Sequence, residues 1–123
     1  MSTATVLIVE DDRWLAQQHA RTLAGSGYTV ATAPHAIAAM SAVDDVQPDV
    51  IILDVLLSGN TGFALLHELQ SYGDTGAIPI ILCTNLAADM SIKDLTPYGV
   101  RRILDKTTML PDDLVTAVRS VLL

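Results

Sequence analysis

Several residue types are scarce in this 123-residue chain. A single cysteine, Cys83, excludes an internal disulfide and fits a reducing cytosol. Aromatic residues make up only 4%, with one tryptophan, Trp14, and one phenylalanine, Phe63. Positive charge is also thin: seven Lys and Arg face fourteen Asp and Glu, for a net charge of −7. Such a surface repels nucleic-acid phosphates and anionic membranes, which argues against direct DNA or RNA binding and against membrane insertion. No apolar run approaches the roughly 20 residues that span a bilayer. The N-terminus reaches an acidic cluster within a few residues and has neither the basic flank nor the apolar stretch of a signal peptide.

What is present is a rich supply of aliphatic residues, with half of the chain hydrophobic. That suffices for one core without covalent staples, and the length fits one domain over 1–123. Val6-Leu7-Ile8-Val9, Val50-Ile51-Ile52-Leu53 and Ile78 to Leu82 are compact apolar runs without polar alternation. Such runs read as strands buried on both faces, the mark of a parallel sheet. Tyr28 to Ala33 and Arg102-Ile103-Leu104 are weaker strands.

Helical patterns fill the gaps. Leu15, Ala16, Ala20, Leu23 and Ala24 follow the first strand, and Gly25 and Gly27 stop that helix. Pro34 opens a second helix, Gly62 precedes a third, and a fourth runs from about Ala87 to Leu95 with Pro97 ending it. Pro111, followed by Asp112 and Asp113, starts a fifth. Five strand-helix repeats with right-handed crossovers give an α/β fold, doubly wound, with helices on both faces of one sheet.

In such a sheet, ligands bind beyond the carboxyl ends of the strands. The first strand ends in Glu10-Asp11-Asp12, the third in Asp54, the fourth in Cys83-Thr84-Asn85 and the fifth in Asp105-Lys106. Taken singly these have ordinary explanations. Asp12 fits a helix N-cap, Asp54 a turn, and a lone threonine or lysine needs no function. Together they crowd carboxylates, a hydroxyl and one of two lysines onto one rim. Crowded carboxylates repel unless a cation neutralises them, and an all-oxygen donor set suits Mg²⁺ better than Zn²⁺. A hard cation there could hold a phosphoryl group in line with an attacking Asp54 oxygen, with Thr84 and Lys106 contacting the other phosphoryl oxygens. His19, His35 and His67 are spread over three helices and make a poor metal set.

These residues, in order, resemble the receiver domain of bacterial two-component response regulators. The likeness runs from Val6 to Leu122. It rests on Leu7 to Asp12, on Pro48 to Asp54 with Gly62 beyond it, on Pro79 to Thr84 and on Gly99 to Lys106. The resemblance implies a flavodoxin-like fold with strand order 2-1-3-4-5. It implies that Asp54 accepts a phosphoryl group from a sensor histidine kinase or phosphotransfer protein, and that the domain is not a turnover enzyme. Glu10, Asp11, Asp54 and the Leu56 backbone carbonyl would hold Mg²⁺. Thr84 would be the switch hydroxyl and Lys106 the phosphate-pairing lysine. A stand-alone, cytoplasmic domain with an unknown downstream protein partner completes the expectation. The family's usual output face would here include Ile92, Leu95, Tyr98, Arg101, Ile103 and Leu110.

Some positions depart from the family's pattern: Ser58, Asn85, Ile103, Thr107 and Thr108. The lysine-proline bond that is usually cis in the family becomes Lys106-Thr107, where cis would cost about 2.5–4 kcal/mol, which makes this bond a candidate for trans. Leu56 and Leu86, each two residues past a key side chain, are apolar and cannot orient a hydrolytic water, which implies a long-lived phosphate. A rival reading is a binding module that keeps the fold and signals without phosphorylation. A haloacid dehalogenase-type enzyme would need an Asp where Leu56 stands. A flavodoxin would need a Ser/Thr-rich phosphate loop where Glu10-Asp11-Asp12 stands.

Overall fold

The computed structural model describes residues 3–56 and 62–122; Ser58 lies outside the described residues, as do Gly59 and Asn60, whose residue types suit a turn. The strands are β1 (Thr5–Val9), β2 (Thr29–Ala33), β3 (Val50–Leu53), β4 (Ile80–Thr84) and β5 (Val100–Asp105). The helices are α1 (Arg13–Gly25), α2 (Ala36–Val46), α3 (Gly62–Ser71), α4 (Ile92–Leu95) and α5 (Pro111–Leu122). All strand pairs are parallel, in the order β2-β1-β3-β4-β5 expected from the sequence.

The uninterrupted apolar runs do what their lack of alternation requires. Leu7, Val9, Ile51, Leu53, Ile80 and Leu82 point to one face and join a core with α2 and α3. Val6, Ile8, Val50, Ile52, Ile81 and Cys83 point to the other and join a core with α1 and α5. Each side chain of this kind contributes about 1.5–3 kcal/mol when fully buried.

Local chemistry sets the helix ends. Asp12 caps α1, its Oδ1 accepting from the Leu15 amide at 3.0 Å. Beyond Gly25 the chain turns through Gly27 at φ +97°, a conformation that favours glycine. The second helix corrects one expectation. Pro34 does not open it; His35 is the cap, and its Nδ1 accepts from the Ala38 amide at 3.1 Å. The fourth helical segment is also not one helix. A 3₁₀ turn at Ala87–Asp89 precedes α4, and another at Thr96–Tyr98 follows it, because Met90 and Ser91 take extended conformations. Pro97 sits inside the second turn near its start, where a missing N–H costs nothing, so it does not end the segment. Leu95, expected on the output face, is buried in the core.

The strand ladders carry the rim residues into place. Val9 is in register with Leu53, and the Asp54 amide donates to Val9 O at 3.2 Å, so Glu10 and Asp54 leave neighbouring strands side by side. A register shift after Ile80 in the β4-β5 pair brings Thr84 opposite Asp105. The Lys106 amide then donates to Thr84 O at 3.1 Å.

Candidate functional site

Five polar residues among those described are buried: Glu10, His19, Asp54, Thr75 and Thr84. All but Thr75 surround the carboxyl ends of the strands. Glu10, Asp11 and Asp54 each place a carboxylate oxygen within 4.8 Å of the others, with Glu10 and Asp54 buried and Asp11 exposed. Lys106 reaches across from the end of β5. Its ammonium donates to Asp54 Oδ2 at 2.5 Å and to Glu10 Oε1.

This arrangement leaves more negative charge than one ammonium neutralises. Burial raises the Glu10 pKa, and the Asp54 charge pushes the same way, against the lowering effect of Lys106. Burial alone would lower the Lys106 pKa, but its hydrogen bonds to Asp54 and Glu10 outweigh it and raise the pKa overall. Glu10 Oε2 is buried without a hydrogen-bond partner among the described residues. An orphaned buried carboxylate oxygen is expensive, and a hard cation between Glu10, Asp11 and Asp54 would satisfy it. The donor set therefore fits Mg²⁺.

Asp54 is also the head of a turn: its Oδ1 accepts from the Leu56 amide at 3.0 Å. The Asp54 carboxylate is thus fixed from both sides, one oxygen by backbone and one by Lys106. Thr84 is fully buried, and its hydroxyl accepts from the Leu86 amide at 3.2 Å. The backbone of Thr84 adjoins Lys106, while its side chain is outside the small cavity that Asp54 and Lys106 share. Glu10, Asp11, Asp54 and Lys106 are therefore assembled, and Thr84 stands beside them.

The departures from pattern now have a local account. The peptide bonds of the described residues are all trans, Lys106-Thr107 included. Thr107 supplies what a proline lacks: its amide and its hydroxyl both donate to Asp105 Oδ1, at 2.9 and 2.6 Å. These two bonds, the hydroxyl's first, hold the Asp105 pKa low. Asn85 is exposed, and Ile103 packs half-buried against the core.

Trp14 is 67% exposed and lines a groove between α1 and the start of α5, rather than packing beside the carboxylates. Cys83 is buried beneath the site, its Sγ 3.3 Å from Met109 Sδ, and burial pushes its thiol pKa up to about 12. A disulfide reagent at pH 8 is therefore expected to leave Cys83 unmodified in the native protein and to react fully after unfolding in urea. Rapid native-state labelling would contradict this.

His19 escaped the sequence reading. It is buried on α1 and lines the small cavity with Glu10, Asp54, Cys83 and Lys106. Burial lowers its pKa, and the Lys106 charge adds to that effect. Its position in the series Ala16, His19, Ala20, Leu23 is the signal that could have found it, since that spacing is one buried helical stripe.

The fold and rim define a class: a doubly wound α/β domain with three carboxylates and a lysine at the strand ends. The family model described as the response regulator receiver domain matches residues 6–119, and the chain belongs to that family. The chain is 35% identical over 96 residues to TcrX of Mycobacterium tuberculosis, covering 77% of this chain and 40% of that protein. It is 33% identical over 79 residues to the response regulator MprA of Mycobacterium ulcerans, covering 64% of this chain and 33% of that protein. The chain thus spans well under half the length of these relatives. Among solved structures, the chemotaxis protein CheY4 of Vibrio cholerae aligns with a TM-score of 0.86 at 27% identity, over 98% of this chain and 99% of that one. The signal receiver domain of a histidine kinase from Syntrophus aciditrophicus aligns at 0.82 and 28% identity, over 98% and 90%. No helix among the described residues is long and apolar enough to cross a membrane.

Proposed function

We propose that residues 1–123 act as a phosphoacceptor signalling domain in which Asp54 takes a phosphoryl group from a phosphohistidine on a sensor histidine kinase or phosphotransfer protein. The observation that carries this reading is the buried Asp54 carboxylate, held by Lys106 beside the orphaned Glu10 oxygen. Glu10, Asp11, Asp54 and the Leu56 carbonyl would hold Mg²⁺. The ion would neutralise charge on the transferring group and so lower the barrier to its approach.

The chain's own residues do the rest. An Asp54 oxygen attacks phosphorus, the phosphorus–nitrogen bond breaks, and the donor imidazole leaves with the bonding electrons and takes up a proton. The Lys106 ammonium follows the charge from carboxylate to phosphoryl oxygen. Thr84, whose backbone carbonyl accepts from the Lys106 amide, would turn its hydroxyl inward to donate a hydrogen bond to a second phosphoryl oxygen. The domain is consumed and restored rather than turning over a substrate. Output passes to a protein partner through the exposed parts of the α4-β5-α5 face, where Ile92, Arg101 and Leu110 are accessible. A cytoplasmic setting, where kinase-borne phosphohistidine and Mg²⁺ occur together, fits the buried free thiol.

The test is incubation with acetyl phosphate, read by intact mass. A gain of one phosphate is expected with Mg²⁺ and not with a chelator, and not in Asp54→Asn. A chain that gains nothing under any donor would belong to the phosphorylation-independent binding modules. The phosphate should also last. Leu56 and Leu86 flank the site with apolar side chains, so a half-life of many minutes or longer is expected without a phosphatase, and loss within seconds would contradict it.

A further inference from the structure

We propose that His19 is a positioning residue for Lys106: its imidazole receives the Lys106 ammonium when a divalent cation takes over Glu10 and Asp54. This rests on the Mg²⁺ reading above and deepens it. The Lys106 ammonium occupies one oxygen on each of two carboxylates of the three-carboxylate cluster. A divalent cation bound through the same carboxylates stands against that ammonium as a like charge. Lys106 must therefore yield at least one of its two bonds, and a partly buried ammonium that loses an acceptor needs another.

Inside the protein the choices are few, since Gln18 and Thr22 line the groove beneath Trp14 but not the cavity around the ammonium. The small cavity around the ammonium, about 10 Å³, is otherwise walled by Ile8, Val9, Ile52 and Cys83, which offer no oxygen acceptor from their side chains. Its volume is at the lower limit for one water. On the outer side, Lys106 also lines the 270 Å³ groove beneath Trp14. His19 is the residue that lines both spaces together with Lys106. None of the hydrogen bonds found among the described residues engages its ring, although the residue is buried. An uncharged imidazole carries one nitrogen lone pair able to accept from an ammonium. Its ring nitrogens are not sealed from solvent, the buried unpartnered side-chain atom among the described residues being Glu10 Oε2, so the lone pair is open to the ammonium when the cation displaces it.

The experiment is a titration of Mg²⁺ alone, by calorimetry at pH 8, into the wild-type protein, His19→Leu and His19→Gln, each checked for native folding. The predicted result is that His19→Leu weakens Mg²⁺ binding at least fivefold without losing stability in chelator. His19→Gln, which keeps an acceptor, should bind within twofold of wild type. In a Lys106→Ala background His19→Leu should have no effect, since there is no ammonium to receive. In wild type, the ¹⁵N resonances of His19 should shift on adding Mg²⁺. Unchanged Mg²⁺ affinity in His19→Leu, no rescue by Gln, or a His19 effect that persists without Lys106 would overturn the proposal. Wild-type protein that binds no Mg²⁺ would instead bring down the site reading itself, and this inference with it.

Discussion

Gly62→Ala is expected to destabilise the protein by about 3 kcal/mol. A Cβ at Gly62 would lie 2.5 Å from the Asp54 carbonyl oxygen and 2.5 Å from Val55 Cα, both backbone atoms. Side chains can rotate away from such an intrusion, but the backbone of Asp54 and Val55 cannot. The Gly62 amide also donates to Val55 O at 2.8 Å, so the close approach is built into the connection. Relief would have to come from moving the Asp54 peptide, which would also slow phosphorylation. Urea denaturation measures the first effect and the rate of phosphate uptake the second. A stability loss below about 1 kcal/mol would show that this approach is looser than described.

The second large effect is expected from Lys106→Ala. Removing the ammonium leaves Glu10 and Asp54 buried, adjacent and without their counter-charge. Stripping one partner from a buried ion pair costs about 3–5 kcal/mol, and the lower end applies here because Asp11 is exposed and the site opens to solvent. Mg²⁺ should restore most of that loss, since it would bind the folded cluster and the unfolded chain holds no such cluster. Thermal unfolding in chelator and in millimolar Mg²⁺ separates the two states. Equal stability of Lys106→Ala and wild type in chelator would mean that the lysine does not neutralise the rim.

Both effects trace to features that differ in how far the sequence exposes them. Val6 to Val9 and Val50 to Leu53 are legible as buried parallel strands because no polar residue interrupts them. Residues at their ends follow automatically, which is why Glu10, Asp11 and Asp54 could be placed on one rim. β5 was legible only in its centre. Arg101 masks its start, and the irregular register after Ile80 has no signature in composition. The break between the 3₁₀ turn at Ala87–Asp89 and α4 was hidden for a similar reason, since nothing in Met90-Ser91 forbids helix.

The site was less legible than the fold where it depends on packing between elements. The burial of His19 against Lys106 joins α1 to the end of β5, residues far apart in the chain. No local pattern reports such a meeting. The replacement of proline by Thr107 looked like a loss, because the sequence does not show that Asp105 would accept two bonds from it. Trp14 follows the acidic cluster by two residues in the sequence, yet it faces outward over the groove beside Lys106 and Met109.

The central claim concerns one atom group, the Asp54 carboxylate, and reductive trapping tests it most directly. Borohydride reduces an aspartyl phosphate to an alcohol and so converts the modified residue to homoserine. The protein, treated with acetyl phosphate and Mg²⁺ and then with borohydride, would be digested and sequenced by mass spectrometry. Homoserine at position 54 alone, and none when Mg²⁺ is chelated, is the predicted result. Homoserine at position 11 or elsewhere, or none at position 54 under any phosphodonor, would contradict the account.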